Sequence, residues 1–299
     1  MIKNNWKKLS VVAFSIVALT FVGCSNKTAE EAKTDDTSIG EKMDYKITGI
    51  DAGSGVVQAS EKAVEDYKLD YTVQTSSGAA MTQALADAYK NKEPIVITGW
   101  SPHWMFSKYD LKYLKDPKGS FGDAEHIDTV VRKGLKEDKP NAYKILDQFA
   151  WEPSDSEAVM LKINAGGDAK EIATQWITDN KDTVSKWTKG TKKVDGEEIK
   201  LAYVAWDTEI ASTNVIGLAL EDMGYKVKLT QVDAGPMWAA VASGDADAIV
   251  AAWLPGTHAK YMTDYKDKVE NLGPNLEGAK IGLVVPTYMD IDSIEELVK

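Results

Sequence analysis

The sequence predicts an α/β fold of two lobes with a ligand cleft between them. Two stretches of equal order, residues 45–104 and 199–258, each alternate strand, helix, strand, helix, strand and end in a turn with proline and histidine. Such alternation is typical of parallel strand pairing with right-handed crossovers. Three predicted strands also end on a tryptophan: IVITGW (95–100), LAYVAW (201–206) and AIVAAW (248–253).

The elements of the first repeat follow from hydrophobic periodicity. Apolar runs predict strands at 47–51, 72–77 and 94–100, and helical spacing predicts helices at 55–67 and 79–91. The second repeat predicts strands at 201–206, 227–232 and 248–253, with helices near 212–224 and 236–243. Between the repeats, residues 105–199 carry predicted helical patches at 124–136 and 169–190 and extend the second lobe.

The lobe boundaries follow from this repeat. A strand-like run at 280–289 is expected to return the chain to the first lobe. We therefore expect the first lobe to comprise residues 45–129 and 274–299, and the second lobe residues 130–273.

The N-terminal residues predict that the protein is exported from the cytoplasm. Lys3, Lys7 and Lys8 precede a mostly apolar run at 9–21, and Gly23 precedes Cys24, which is the only cysteine. This order is typical of a signal peptide, here 1–23, and resembles a bacterial lipobox. Cys24 is then expected to carry the lipid that anchors the protein to the outer face of the cell membrane, with the polar residues 24–44 as a flexible tether.

The charge balance excludes one large class of partner. The formal net charge is −11, and no basic face is concentrated anywhere in the sequence. Because phosphate backbones require concentrated Lys and Arg, we expect no nucleic-acid partner.

The three strand-terminal tryptophans are the candidate binding residues. In open α/β sheets ligands bind beyond the carboxyl ends of the strands, so Trp100, Trp206 and Trp253 can converge on one pocket. Indole faces attract a quaternary ammonium group by cation–π interaction, at about 0.5–2 kcal/mol per ring. The remaining tryptophans of the globular region are expected to be core residues: Trp104, Trp151, Trp176, Trp187 and Trp238.

A second feature suits the opposite end of a ligand. The turn 51–56, DAGSGV, follows the first strand and opens a helix, so that free backbone N–H groups can bind an anion. His258 follows Trp253 by five residues and can donate to a carboxylate, whereas His103 and His126 are interpreted as structural. A tight turn and a surface histidine are the alternative interpretations. A site with a cation at one end and a carboxylate at the other describes a betaine.

With these motifs in view, the chain resembles the substrate-binding lipoproteins of Opu-type glycine betaine ABC transporters. The similarity covers residues 45–299 and rests on GIDAGSG, ITGWSPHWMFSKYDLKYL, LAYVAWDTEIASTNVIG, VDAGPMW and AAWLPGTH. It implies a type II periplasmic-binding-protein fold whose lobes close over the ligand. It also implies that Trp100, Trp206 and Trp253 hold the trimethylammonium group, while the backbone of Gly55 and Val56 and the side chain of His258 hold the carboxylate.

The resemblance implies glycine betaine, and proline betaine with it, as ligand, and a membrane permease with its ATPase as partners. Choline or carnitine is the alternative ligand, although choline lacks a carboxylate for the turn and His258. An enzyme is not expected, because no nucleophile motif or paired histidines at metal spacing occur; no metal or cofactor is expected either. A sensory domain would need a fused signalling segment, which the sequence does not contain.

Overall fold

The computed structural model describes residues 38–298. Its helices, in chain order, are α1 Ile39–Lys42, α2 Gly55–Tyr67, α3 Gly78–Asn91, α4 Trp104–Lys108, α5 Leu135–Asp138, α6 Pro140–Gln148, α7 Pro153–Asn164, α8 Ala169–Asp179, α9 Lys181–Trp187, α10 Asp207–Asp222, α11 Ala234–Ser243 and α12 Ala259–Tyr265, followed by a 3₁₀ turn at Ile294–Val298. Its strands are β1 Lys46–Thr48, β2 Thr72–Gln74, β3 Ile97–Ser101, β4 Leu111–Tyr113, β5 Glu125–Arg132, β6 Glu198–Tyr203, β7 Lys226–Gln231, β8 Ala248–Leu254 and β9 Val269–Pro286.

The strands join in the order β2-β1-β3-β9-β5-β8-β6-β7, with β4 also paired to β9. Strand β9 is long enough to serve two half-sheets: residues 280–286 pair with β3 and β4, and residues 269–279 pair with β5. We call β1 to β4 with residues 280–286 the first half-sheet, and β5 to β8 with residues 269–279 the second. The fold is a two-lobed α/β architecture built on these halves.

The internal repeat is visible in the topology. In the first half-sheet β1 pairs parallel with β2 and β3, and in the second β6 pairs parallel with β7 and β8. Both halves therefore have the same order, with the first strand of the repeat in the centre and its two parallel partners on either side. The predicted lobe boundaries remain a proposal; in the sheet, β5 lies wholly in the second half-sheet, and β9 changes half-sheet between residues 279 and 280.

The helical prediction for residues 124–136 is wrong. Residues Glu125–Arg132 form strand β5, which pairs antiparallel with both β8 and β9, and His126 lies on that strand. The apolar residues Ile127, Val130, Val131 and Leu135 have a spacing that suits a helix, but the strand is buried between two neighbours and shows register shifts along both pairings. Tertiary pairing thus overrides the local periodicity.

The tryptophans expected in the core are buried. Trp151, Trp176 and Trp187 form one aromatic cluster, with Trp151 edge-on to Trp176 at 5.8 Å and Trp176 stacked on Trp187 at 5.7 Å between ring centroids. The Trp187 indole N–H donates to the carbonyl of Ala150 at 2.8 Å. Trp104 and Trp238 are buried as well. These five rings contribute to the packing of the protein interior.

The described residues begin within the segment predicted as a tether. Ser38 and Glu41 form a capping box at the start of α1, and Ile39 and Met43 pack against the main core. The predicted signal peptide and the lipidated Cys24 lie outside the described residues. Within residues 38–298, no helix is both long and apolar enough to cross a bilayer.

Candidate functional site

A small, mostly apolar cavity lies where the two half-sheets face each other. No charged side chain lines it; the lining residues are Ile50, Ser54, Gly55, Val56, Trp100, Trp206, Trp253, Thr257 and Ile281. The structure thus brings together five of the six residues that the sequence predicts for ligand binding, three rings and two backbone positions.

Trp100 belongs to the first half-sheet. It lies on β3 opposite Ile281 of β9 and is 5% exposed. The residue before it, Gly99, has no room for a side chain because a Cβ there would meet Val284 on β9. Side chains alternate between the faces of a strand, so Gly99 allows β3 and β9 to approach on one face while Trp100 lines the cavity from the other.

Trp206 reaches the cavity from a turn rather than a strand. Strand β6 ends at Tyr203, and Trp206 is the N-cap residue of α10. The ring is partly exposed, and its indole N–H donates to the carboxylate of Asp51 at 3.1 Å. Asp51 follows the first strand of the first half-sheet, so this hydrogen bond crosses the cleft.

Trp253 is the most enclosed of the three rings. It lies on β8 and is 3% exposed, and its indole N–H donates to Glu209 Oε1 at 2.8 Å. Glu209 belongs to α10 and is fully buried, with no partner for Oε2. Burial raises the pKa of Glu209 to about 8, so this carboxyl is uncharged at neutral pH.

The glycine turn forms the polar end of the cavity. Helix α2 begins at Gly55 with Ser54 as its N-cap residue, and its first turn contains no acidic side chain. The N–H groups of a first helical turn have no partner inside the helix, and the helix dipole makes this end positive. Ser54 is buried, makes no capping hydrogen bond, and its Oγ has no partner. Ser54 is therefore a further candidate that the sequence analysis did not single out.

His258 lies directly behind the lining rather than in it. Its ring stacks on Trp206 with 6.0 Å between centroids, and its Nδ1 accepts the backbone N–H of Trp253 at 3.1 Å. It is 1% exposed, and burial lowers its pKa to about 3. The neutral ring therefore carries its proton on Nε2, an atom that has no partner. The imidazole is a fixed, uncharged donor.

The turn that carries His258 is held by a buried carboxylate. Glu125 on β5 accepts the backbone N–H of Thr257 at 2.5 Å and that of Gly256 at 3.1 Å through Oε1, and the Thr257 hydroxyl at 2.9 Å through Oε2. Such multiple hydrogen bonds to one carboxylate fix a turn tightly. Glu125 thus sets the position of Thr257 at the cavity wall.

A second polar contact joins the two halves beside the cavity. His103, in the turn after β3, is fully buried; its Nδ1 accepts the N–H of Met105 at 3.2 Å, and its Nε2–H donates to Asp207 Oδ2 at 3.2 Å. Burial acts to raise the pKa of Asp207, but hydrogen bonding and charge interaction with His103 leave that pKa below its ordinary value. His103 also lies edge-on to Trp100 at 4.6 Å. Sequence reasoning treated His103 as structural and did not find this contact.

The arrangement suits binding of a small zwitterion. Three indoles and the start of α2 line the cavity, and no charged side chain does. Ser54 Oγ in this lining and His258 Nε2 behind it are buried polar atoms without a partner. Within residues 38–298, no group of three or more His, Cys, Asp or Glu side chains is placed to bind a metal ion.

Comparison with known families gives a match along most of the chain. The model of the family described as "Substrate binding domain of ABC-type glycine betaine transport system" matches residues 26–179 and 197–299. The chain is 54% identical over 296 residues to the glycine betaine/carnitine transport binding protein GbuC of Listeria monocytogenes, covering 97% of this chain and 98% of the relative. It is 27% identical over 142 residues to the glycine betaine/proline betaine-binding periplasmic protein of Escherichia coli, covering 45% of this chain and 42% of the relative.

Two solved structures are also similar. Lactococcal OpuAC in its closed form with glycine betaine is 52% identical, with a TM-score of 0.48 over 52% of this chain and 61% of that chain. The glycine betaine/L-proline-binding protein ProX of Borrelia burgdorferi is 32% identical, with a TM-score of 0.46 over 50% of this chain and 58% of that chain. The present chain thus spans less than two thirds of each of these solved chains.

Proposed function

Because the chain belongs to the family of substrate-binding domains of ABC-type glycine betaine transport systems, and is thus a binding protein rather than an enzyme, we propose that it captures glycine betaine in the tryptophan-lined cavity. One observation carries this proposal: Trp100, Trp206 and Trp253 line a single cavity with no charged lining side chain. A trimethylammonium group has no N–H to donate, so polar side chains gain nothing from it, while aromatic faces attract its charge.

The ligand carboxylate occupies the opposite end of the cavity in this proposal. The N–H groups of Gly55 and Val56, at the start of α2, and the Nε2–H of His258 are the donors. The Nε2–H of His258 suits this role. A buried polar group without a partner costs about 1–3 kcal/mol, and a hydrogen bond to the ligand carboxylate offsets this cost. The same end leaves choline, which has no carboxylate, with weaker binding.

Cage assembly requires both halves of the fold. Trp100, Gly55 and Val56 come from the side of the first half-sheet, whereas Trp206, Trp253 and His258 come from the second. We infer that ligand binding stabilises the closed arrangement by joining these surfaces, as hinge-bending binding proteins do. The closed form is then the species that the permease and its ATPase recognise.

The cellular setting belongs to the same proposal. A protein that feeds an ABC importer works outside the cytoplasm, and Cys24 after the apolar segment provides the lipid anchor to the outer face of the membrane. The physiological role is uptake of an osmoprotectant. Proline betaine shares both charged ends with glycine betaine and is included as a ligand.

Carnitine is a second candidate ligand. The Listeria relative, 54% identical, is named for glycine betaine and carnitine, and carnitine also combines a trimethylammonium group with a carboxylate. Calorimetric titration of the purified protein with glycine betaine, proline betaine, carnitine, choline and proline tests the proposal. We expect micromolar or tighter binding of at least one betaine and much weaker binding of choline and proline; binding of proline alone contradicts the cage.

A further inference from the structure

Binding of a betaine in the proposed site makes no use of the uncharged carboxyl behind Trp253. Glu209 is fully buried, one of its oxygens accepts the indole N–H of Trp253, and the other has no partner. Structural carboxylates in protein interiors are usually paired with a cation or fully hydrogen-bonded, because an isolated buried charge is costly. Glu209 satisfies neither condition, and it lies one indole ring away from the cavity.

The following inference rests on the proposed function. We propose that Glu209, buried behind Trp253 without a cation partner, is a specificity-determining residue that gives the cage no protein counter-charge. The site therefore prefers an ammonium ligand that carries its own carboxylate. A betaine brings its balancing negative charge with it. Choline does not. When Glu209 is ionised, its carboxylate supplies a negative charge near the cage, and the ratio of betaine affinity to choline affinity decreases.

The surroundings of Glu209 explain why it is uncharged. On its own helix, α10, the charged neighbour is Asp207, which is also acidic and raises the pKa of Glu209 further. Helix α7, packed against α10, has two part-buried charged groups, Asp155 and Glu157, and both are acidic. The part-buried Lys200 of β6 lies at the opposite end of that strand from the cavity and pairs with Glu198 at 3.6 Å.

The remaining elements that pack on α10 add no compensating charge. The Lys, Asp and Glu side chains of α6, α8 and β7 are solvent-exposed, and β8 has none. His258, on the turn after β8, is uncharged above a pH of about 3, as the value of its pKa requires. The turn after β3 also packs on the start of α10, where His103 pairs with Asp207 and not with Glu209. A bound cation without a carboxylate adds a positive charge close to Glu209, and it favours the ionised form.

The sign of the linkage follows from this. A cation near Glu209 lowers the pKa of the carboxyl, so that cation binding at a pH near 8 releases a proton from Glu209 to the buffer. Affinity for choline then rises as the pH increases through this range. Affinity for glycine betaine rises less, because its own carboxylate offsets part of the attraction. Neither ligand changes its own charge between pH 6.5 and 9.0.

The test compares glycine betaine with choline at pH 6.5 and 9.0 in the wild type, Glu209→Gln and Glu221→Gln, with choline measured by competition. Glutamine keeps the acceptor for Trp253 but cannot ionise. The matched control is Glu221, which lies at the far end of α10 and pairs with Lys170 of α8. We expect the betaine-to-choline affinity ratio of the wild type and of the control to fall at least threefold on going to pH 9.0. In Glu209→Gln the betaine-to-choline affinity ratio should stay, at both pH values, within twofold of the ratio that the wild type has at pH 6.5.

A wild-type ratio that does not change with pH, or a Glu209→Gln ratio that falls like that of the wild type, overturns the inference while leaving betaine binding intact. Failure of both ligands to bind the wild type at either pH overturns the proposed function together with it. Proton release needs no variant: choline titrations of the wild type at pH 8 in phosphate and in Tris should give enthalpies that reveal a released proton. If the binding enthalpy of choline is the same in both buffers, no proton is released, and the inference is contradicted.

Discussion

Gly55 and Thr257 approach so closely across the cleft that a methyl group on Gly55 would lie 2.7 Å from the Cα of Thr257. Real side chains do not approach a backbone atom this closely, and Thr257 is held in place by Glu125. Gly55 does not have a positive φ, and it is the first residue of α2, where alanine is well tolerated. The glycine is therefore required for contact between the halves and not for the local backbone.

We predict that Gly55→Ala weakens glycine betaine binding at least tenfold, or about 1.4 kcal/mol, because the added methyl group holds the halves apart. The melting temperature of the ligand-free protein should change little. Gly78→Ala is the matched control, since Gly78 is also the first residue of a helix and a Cβ there meets nothing within 4 Å. Titration calorimetry and thermal unfolding check both variants; equal affinities for the two would contradict the steric account.

His258→Ala should discriminate between ligands. Loss of the Nε2–H donor removes a hydrogen bond to a charged group, worth about 1.5–3 kcal/mol, so glycine betaine binding is expected to weaken about tenfold or more. Choline has no carboxylate, and its affinity should change less than threefold. Competition titrations with both ligands measure this difference. A similar loss for both would place His258 in a purely structural role.

Protein stability should reflect the same histidine. The unfolded chain protonates His258 near pH 6.5, whereas in the fold its pKa is about 3. Between these values the unfolded state binds one more proton, so the free energy of unfolding decreases as the pH falls, by up to about 1.4 kcal/mol per pH unit from this group. His258→Asn keeps an acceptor for the Trp253 N–H but does not titrate.

In urea unfolding of the ligand-free protein, the stability advantage of the wild type over His258→Asn should therefore shrink by about 1 kcal/mol or more from pH 7 to pH 4. A difference that is independent of pH would show that His258 has the same pKa in the folded and unfolded protein, which contradicts a buried, uncharged ring.

The His103–Asp207 contact should stabilise the closed form. Asn at position 103 can still cap α4, as Asn is a favoured N-cap residue, while Asp207→Asn removes the charge. We expect His103→Asn and Asp207→Asn each to weaken glycine betaine binding threefold or more, and the double variant to be no weaker than the worse single one. A double-mutant cycle should give a coupling energy of about 0.5–3 kcal/mol. Additive effects would mean that the two residues act independently.

The repeat and the cavity residues could be predicted from sequence because their signals are local. Strands β3 and β8 are short apolar runs that end near Trp100 and Trp253, and both rings line the cavity. Trp206 reaches the same cavity by a different route, as the N-cap residue of α10 beyond the end of β6. The expectation that Trp206 ends a strand is wrong, because β6 ends at Tyr203.

The contacts that complete the site could not be predicted in the same way. Glu209 and Trp253 are 44 residues apart, and Glu125 is 132 residues from the Thr257 that it holds. Such pairs form only when strands from distant parts of the chain lie side by side. Strand β5, which carries Glu125, was itself interpreted as helical because its apolar spacing suits a helix and its two partner strands come more than 100 residues later.

In the proposed site, the three indoles recognise the positive charge of the trimethyl head and not merely its shape. The most direct measurement compares glycine betaine with 3,3-dimethylbutanoate, in which a carbon atom replaces the nitrogen while the shape and the carboxylate remain. Three rings at about 0.5 kcal/mol each already correspond to about tenfold. We therefore predict that calorimetry finds the carbon analogue bound at least tenfold more weakly than glycine betaine; equal affinity for the two would contradict the tryptophan cage.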